Sequence, residues 1–107
     1  MNEDKILTLI GFSSRANKFA FGKEGLRSYI SKPRKHKLVV IASDASKNTL
    51  KDLMNKCSHY GIKYVLLERK NKLDLAKAVG KIEVSAVGIE DESIIKGIID
   101  LVNGGDN

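Results

Sequence analysis

The 107-residue sequence has one cysteine and no tryptophan, and aromatic side chains make up only 6% of it. A lone Cys57 cannot close an internal disulfide, and no four Cys or His residues have the spacing of a structural zinc site. No apolar run approaches the roughly 20 residues that span a bilayer. The first residues carry Glu3 and Asp4 rather than the basic-then-apolar pattern of a signal peptide. No G-x-G-x-x-G occurs, Gly22-Lys23-Glu24-Gly25 lacks the spacing of a phosphate loop, and no carboxylate pair recurs at a spacing suited to acid–base work. Internal repeats and linkers are missing as well. These absences point away from secreted, membrane and metal-stapled proteins. With 42% apolar and 30% charged residues, the chain is expected to be one cytoplasmic domain over 1–107, frayed at 103–107, that uses neither cofactor nor metal.

Positive charge is what the sequence has in excess. Nineteen Lys and Arg against thirteen Asp and Glu give a net charge of +6. Residues 15–37 hold eight bases (Arg15, Lys18, Lys23, Arg27, Lys32, Arg34, Lys35, Lys37) against Glu24, a local balance of +7. Residues 47–72 add seven bases against two acids, and residues 83–107 set six acids against Lys96. Clustered Lys and Arg neutralise phosphates and release counterions, which makes nucleic acid the first partner to test. The plainer alternative is a basic face kept for solubility.

Periodicity and punctuation divide the chain. Asn2 caps a helix over about 3–13 with an apolar stripe of Ile6, Leu7, Ile10 and Phe12. Phe19-Ala20-Phe21 reads as a short strand, and 23–31 as a helix that buries Leu26, Tyr29 and Ile30 and stops before Pro33. Leu38-Val39-Val40-Ile41-Ala42 has the β-branched run of a strand buried on both faces. A helix follows over 47–59, with Leu50, Leu53, Met54 and Cys57 on one side and Gly61 as its left-handed cap. Residues 64–67 form a second buried strand. Asn71 caps a helix that ends at Gly80, and 84–89 is a third buried segment. Asp91 caps a last helix, with Ile94, Ile95, Ile98 and Val102 inward. Strands separated by helices imply an α/β protein: a three-layer α/β/α sandwich of about four strands, with a largely parallel sheet.

Few side chains stand out as chemistry. Cys57 lies on an apolar helix stripe and reads as packing. His59 suits a helix end and His36 a loop. Asp44 follows a buried strand, where α/β enzymes place acids, yet alone it fits a turn. Glu90-Asp91-Glu92 fits capping and solvation better than a metal. Gly22, at a helix start beside Lys23, is suited to holding a phosphate through backbone N–H groups.

Gly22-Lys23-Glu24-Gly25-Leu26-Arg27 and Lys37-Leu38-Val39-Val40-Ile41-Ala42-Ser43-Asp44-Ala45-Ser46 resemble the L7Ae family of ribosomal and kink-turn RNA-binding proteins. The likeness continues through residues 57–64 and 75–80. Leu9-Ile10-Gly11-Phe12-Ser13-Ser14-Arg15-Ala16-Asn17-Lys18 is similar to the short bacterial, YlxQ-like branch. This resemblance implies an α/β/α sandwich that binds a kinked stem–internal loop–stem with tandem sheared G·A pairs. The family signature sets Gly-x-Asn-Glu, with a Lys three residues on, at the start of the second helix. Gly22 and Lys23 match, Glu24 and Gly25 replace the Asn and Glu, and Ser28 stands at the Lys position beside Arg27. Asn donates and accepts at base edges, whereas an ionised Glu24 only accepts and Gly25 has no side chain. A second family contact, the turn before the last strand, corresponds to 80–84.

The resemblance therefore implies Gly22, Lys23, Glu24, Arg27 and Ile82 as RNA-facing residues, with Ser28 as a weaker candidate. Arg15, Lys18, Lys35 and Lys37 are the candidates for phosphate contacts. The expected function is non-catalytic binding of structured RNA, ribosomal RNA among the possibilities, with a ribosome or protein partner and no membrane. The alternative is a protein-interaction module of the same fold that has lost kink recognition and docks through its acidic C-terminal portion. A nucleotide-binding protein using the Gly22 turn and Asp44 is a third reading.

Overall fold

Helix boundaries follow from capping chemistry. In a computed structural model of the protein, which describes residues 1–104, the elements are α1 (Glu3–Arg15), β1 (Phe19–Phe21), α2 (Gly22–Ser31), β2 (Leu38–Ile41), α3 (Lys47–Tyr60), β3 (Lys63–Leu66), α4 (Lys72–Val79), β4 (Ala86–Ile89) and α5 (Glu92–Val102). Asn2 accepts the N–H of Lys5, Ser46 that of Thr49, and Asp91 those of Ser93 and Ile94. Asn71 and Asp74 cap each other's backbone reciprocally. Gly61 and Gly80 close α3 and α4 at φ 66° and 68°, a conformation that costs a residue with a Cβ about 1 kcal/mol or more. Most of the expected frayed end, residues 105–107, lies outside the described residues.

The strand order is β1-β4-β2-β3. Only β2 and β3 are parallel; β4 runs antiparallel to both β1 and β2, so the sheet is mixed rather than largely parallel. The reason lies in α4. Its eight residues span about 12 Å, and it packs against α1 instead of returning along the strands. After Gly80 the chain therefore enters β4 at the end of the sheet where it left β3.

The alternation of β2 sorts its side chains between two cores. Leu38, Val40 and Ala42 join Val65, Leu67, Val87 and Ile89 beneath α1, α4 and α5. Val39, Ile41 and Ala86 pack against Leu26, Tyr29 and Ile30 of α2 and Leu53 and Cys57 of α3. This is the expected α/β/α sandwich. Three burial expectations need correction. β3 is an edge strand, paired only with β2, so Lys63, Tyr64 and Leu66 are exposed and Val65 alone is buried within it. On α5 the inward residues are Ile95, Ile98 and Leu101; Val102 lies one helical step outside that stripe. Phe12, 49% exposed, has rotated off the Ile6–Ile10 stripe of α1.

Two polar devices fix the helices on the sheet. The Tyr29 hydroxyl accepts the N–H of Leu38 at 2.9 Å and donates to the carbonyl of Ile89, bridging β2 and β4 where their pairing ends. Burial pushes this hydroxyl up to about 12, so it keeps the proton that the bridge requires. Its ring lies on Gly88, where a Cβ would approach Tyr29 Cδ2 to 2.5 Å. On the opposite face, Glu3 is 3% exposed, and its carboxylate accepts the N–H groups of Glu68 (2.7 Å), Arg69 (3.0 Å) and Lys70 (2.9 Å). Beside it, Asp4 pairs with Lys70 at 2.7 Å. Burial works to raise the Glu3 carboxyl, but the three donors together hold it below its ordinary 4.5.

Chemical denaturation of Tyr29→Phe is expected to show a loss of about 1–3 kcal/mol from the stranded Leu38 and Ile89 groups. Gly88→Ala is expected to lose about as much through overlap with the ring. Because the folded pKa of Glu3 is depressed, its contribution is present above about pH 4.5 and lost as pH falls through the folded value. Glu3→Gln should therefore be less stable than the parent at pH 7 by about 1–3 kcal/mol, and the two melting curves should converge in acid.

Candidate nucleic-acid interface

Of the five helices among the described residues, α2 alone begins without a side-chain cap: its N-cap is Phe21, which makes no side-chain hydrogen bond to the first turn. Gly22 enters the helix at φ +76°, and residues 21–24 are exposed, so the first N–H groups of α2 face solvent. Uncapped N–H groups at the positive end of a helix dipole hold an anion through the backbone. Glu24 stands at the third helical position, where a capping carboxylate belongs, but it is engaged instead by Arg27, 3.9 Å away. Both side chains are largely exposed, so the pair is screened and exchangeable.

Register places three chain segments at this end of the sheet. Phe21 pairs with Val87 and Ile41 with Ala86, so Gly22, the end of β2 and the turn before β4 lie together. Gly22 and the turn before β4 line a groove of about 460 Å³. Gly22, Lys23, Leu26 and Arg27 form one wall, Asn48, Thr49 and Lys56 of α3 another, and residues 83–86 the floor. Its two acids are Glu83 and Asp52, and Asp52 is held by Lys56 at 2.9 Å. The Lys81 ammonium lies 4.8 Å from the Phe21 ring, pinning the turn against the residue that precedes Gly22. Next to it, Ile82 is 94% exposed, an apolar side chain presented with no protein to cover it.

The sequence-predicted residues divide by position. Gly22, Lys23, Glu24, Arg27 and Ile82 share this end. Arg15 does not line the groove: its guanidinium lies 4.9 Å over Phe12 of its own helix, and the neighbouring Ser14 hydroxyl donates to the carbonyl of Val79. Ser28 faces the other side of α2, in a shallow cleft with Phe19, Gly25 and Lys32. Lys18, Lys35 and Lys37 lie at the far end of the sheet. The Lys18 carbonyl accepts the N–H of Glu90, and its charge adds to the Ser93 hydrogen bonds that hold the Asp91 carboxyl below its usual range. The Lys37 ammonium donates to the Ile30 carbonyl at 2.7 Å and so closes α2; burial, then the charge of Arg34, lowers its pKa. Asn48, Thr49 and Lys56 are groove residues that sequence reasoning missed, whereas Lys81 lies in the 80–84 turn that the resemblance had marked. The available signal was the polar flank of α3 next to Leu53.

The reactive side chains Asp44 and Cys57 have structural surroundings. Asp44 accepts the N–H of Lys72 at 2.7 Å and ties the β2–α3 turn to α4. Cys57 is buried, which pushes its thiol up. Among the described residues no group of three or more His, Cys, Asp or Glu is arranged to hold a metal, and no helix is long and apolar enough to cross a membrane.

An α/β/α sandwich with a mixed four-stranded sheet and an open helix start facing a turn defines the architecture. The chain belongs to the Ribosomal protein L7Ae/L30e/S12e/Gadd45 family, whose model it matches over residues 4–98. It is 30% identical over 95 residues to the "RNA-binding protein YlxQ" of Bacillus subtilis (strain 168), covering 89% of this chain and 92% of that one. It is 32% identical over 103 residues to the protein of the same name from Enterococcus faecium, covering 96% of each. Among solved structures, a protein of unknown function from Bacillus halodurans C superposes with a TM-score of 0.82 at 29% identity, covering 92% of this chain and 97% of that one. A 15.5kD RNA binding protein from Giardia lamblia shares the fold, with a TM-score of 0.71 at 20% identity, 96% of this chain and 85% of that one.

Proposed function

We propose that the chain is a non-catalytic RNA-binding protein that holds a bent, structured RNA at the Gly22 end of its sheet. The observation that carries this reading is the uncapped start of α2, flanked by Lys23 and Arg27 and faced by the turn bearing Ile82. Backbone N–H groups and the two cations take phosphates, and Ile82 offers an apolar surface to an unstacked base. Structured RNA is read chiefly by such shape and backbone contacts. The family membership and the names of the YlxQ relatives support the same partner. A kinked stem within ribosomal RNA, met in the cytoplasm, is the form of RNA this reading favours.

Two measurements test it. Affinity for a kinked stem with tandem sheared G·A pairs should fall steeply with salt. Each phosphate contact contributes roughly 0.7–0.9 to the slope of log K against log salt, so Lys23→Ala with Arg27→Ala should flatten that slope by about 1.5. Salt-independent binding, or no binding to any structured RNA, would defeat the proposal. A partner captured equally well after nuclease treatment would favour the protein-interaction module instead. The second measurement restores the family signature. A Cβ at Gly25 meets nothing within 4 Å, so Glu24→Asn with Gly25→Glu fits without strain. This variant should prefer the kinked stem over a straight duplex by about tenfold more than the parent does, the worth of one good base contact.

A further inference from the structure

The far end of the sheet carries a second cationic surface that the Gly22 groove does not use. Leu38 pairs with both Lys63 and Ile89, so the loop before β2, the start of β3 and the turn after β4 meet there. Between that loop, the end of α3 and α5 lies a groove of about 280 Å³, lined by Arg34, Lys35, His36 and Lys37, by Tyr60 and Lys63, and by Ile95 and Ile99. No carboxylate lines it. Two acids are paired to its loop: Glu90 with Arg34 at 3.4 Å and Glu92 with His36 at 3.0 Å. Those pairs brace the loop against the start of α5. Lys37 is held by the Ile30 carbonyl, which keeps its position but not its charge occupied. Lys35 and Lys63 have no ion-pair partner among the described residues and are exposed.

The groove also has an aromatic wall. Tyr60 is 50% exposed, and the His59 ring packs against it in a T-shaped contact at 4.9 Å between ring centroids. A cationic track beside an exposed ring is the combination that binds single-stranded nucleic acid: phosphates follow the cations while a base stacks on the ring. A duplex, with its bases already stacked, has no use for such a ring.

We infer that this far groove binds a single-stranded RNA segment, with Lys35, Lys37 and Lys63 on its phosphates and Tyr60 stacking a base. The choice of RNA as ligand rests on the proposed function, while the groove itself is separate from the Gly22 end. The chain would then hold a structured element at one end of the sheet and an unpaired strand at the other.

Fluorescence anisotropy with two probes, a uridine 12-mer and the kinked stem, tests this on the full chain. Tyr60→Ala, and separately Lys35→Ala with Lys63→Ala, should each weaken the 12-mer by about fivefold or more while leaving the kinked stem within about twofold. The lysine pair should also flatten the salt slope for the 12-mer by about 1.4. Tyr60→Phe, which keeps the ring, should retain parental affinity. Lys23→Ala with Arg27→Ala should show the opposite pattern. The inference is overturned if 12-mer binding is absent, or if it survives the far-groove variants and is lost in the Gly22-end variant. Loss of the kinked-stem interaction alone, with the 12-mer still answering to Lys35, Lys63 and Tyr60, would defeat the Gly22 reading and leave this one standing.

Discussion

The fit of the Tyr29 ring on Gly88 is the contact on which the rest of the molecule depends. Helix α2 is short and intrinsically weak: ten residues, two of them glycine, with no side-chain cap. A helix of that length gains its stability from packing rather than from its own hydrogen bonds. Leu26, Tyr29 and Ile30 supply the packing, and the Tyr29 hydroxyl converts it into a fixed position by bridging β2 and β4. Only glycine at 88 lets the ring come that close. Because α2 is anchored from its middle and its end, where Lys37 closes it, its first turn needs no capping side chain. The open N–H groups at Gly22 are thus compatible with a well-placed helix. Anchoring at one end leaves the other free for a ligand.

Charge that is polarised along the sequence is rearranged by the fold. The basic segment 15–37 crosses from one end of the sheet to the other, since β1 and α2 lie within it. Its members part company: Lys23 and Arg27 go to the Gly22 groove, while Arg34, Lys35 and Lys37 go to the far end. Two acids of the C-terminal portion, Glu90 and Glu92, turn to Arg34 and His36. Those pairs are partly exposed and contribute little stability. Their effect is positional, holding a loop of cations outward from the sheet.

Local physics was legible in the sequence and global pairing was not. Asn2, Ser46, Asn71 and Asp91 begin helices, and Gly61 and Gly80 end them, because a cap involves atoms within four residues of one another. The run at 38–42 announced a strand covered on both faces. The direction of β4 was hidden, because it depends on how a short α4 packs against α1, a contact between distant segments. Glu3 reads as an ordinary first-turn acid until the chain at 68–70 is brought to it. From Ile98 both the i+3 position, Leu101, and the i+4 position, Val102, continue an apolar stripe, and only the packing of α5 decides that Leu101 is the buried one. The site followed the same division. Gly22, Lys23 and Arg27 were visible as one stretch, whereas Asn48, Thr49 and Lys56 reach the groove only through the packing of α3 beside α2.

The departures at positions 24 and 25 bear on what kind of recognition this end of the fold can support. Attachment and discrimination rest on different atoms. Attachment needs the positive φ of Gly22, the uncapped N–H groups and nearby cations, all of which are backbone features or single charges. Discrimination between bases needs side chains with paired donors and acceptors. Glu24 and Gly25 lack them, and Glu24 adds a negative charge that Arg27 partly offsets. The turn at 81–85, pinned by Lys81 on Phe21 and carrying Ile82, keeps the opposite lip in place without reference to either position. Under the proposed function, a site built this way would grip RNA shape while relaxing its demand for a particular pair of bases. Any sequence preference must then come from somewhere other than the start of α2. Residues that touch an unstacked base, as an exposed apolar or aromatic side chain can, are the remaining means of supplying it.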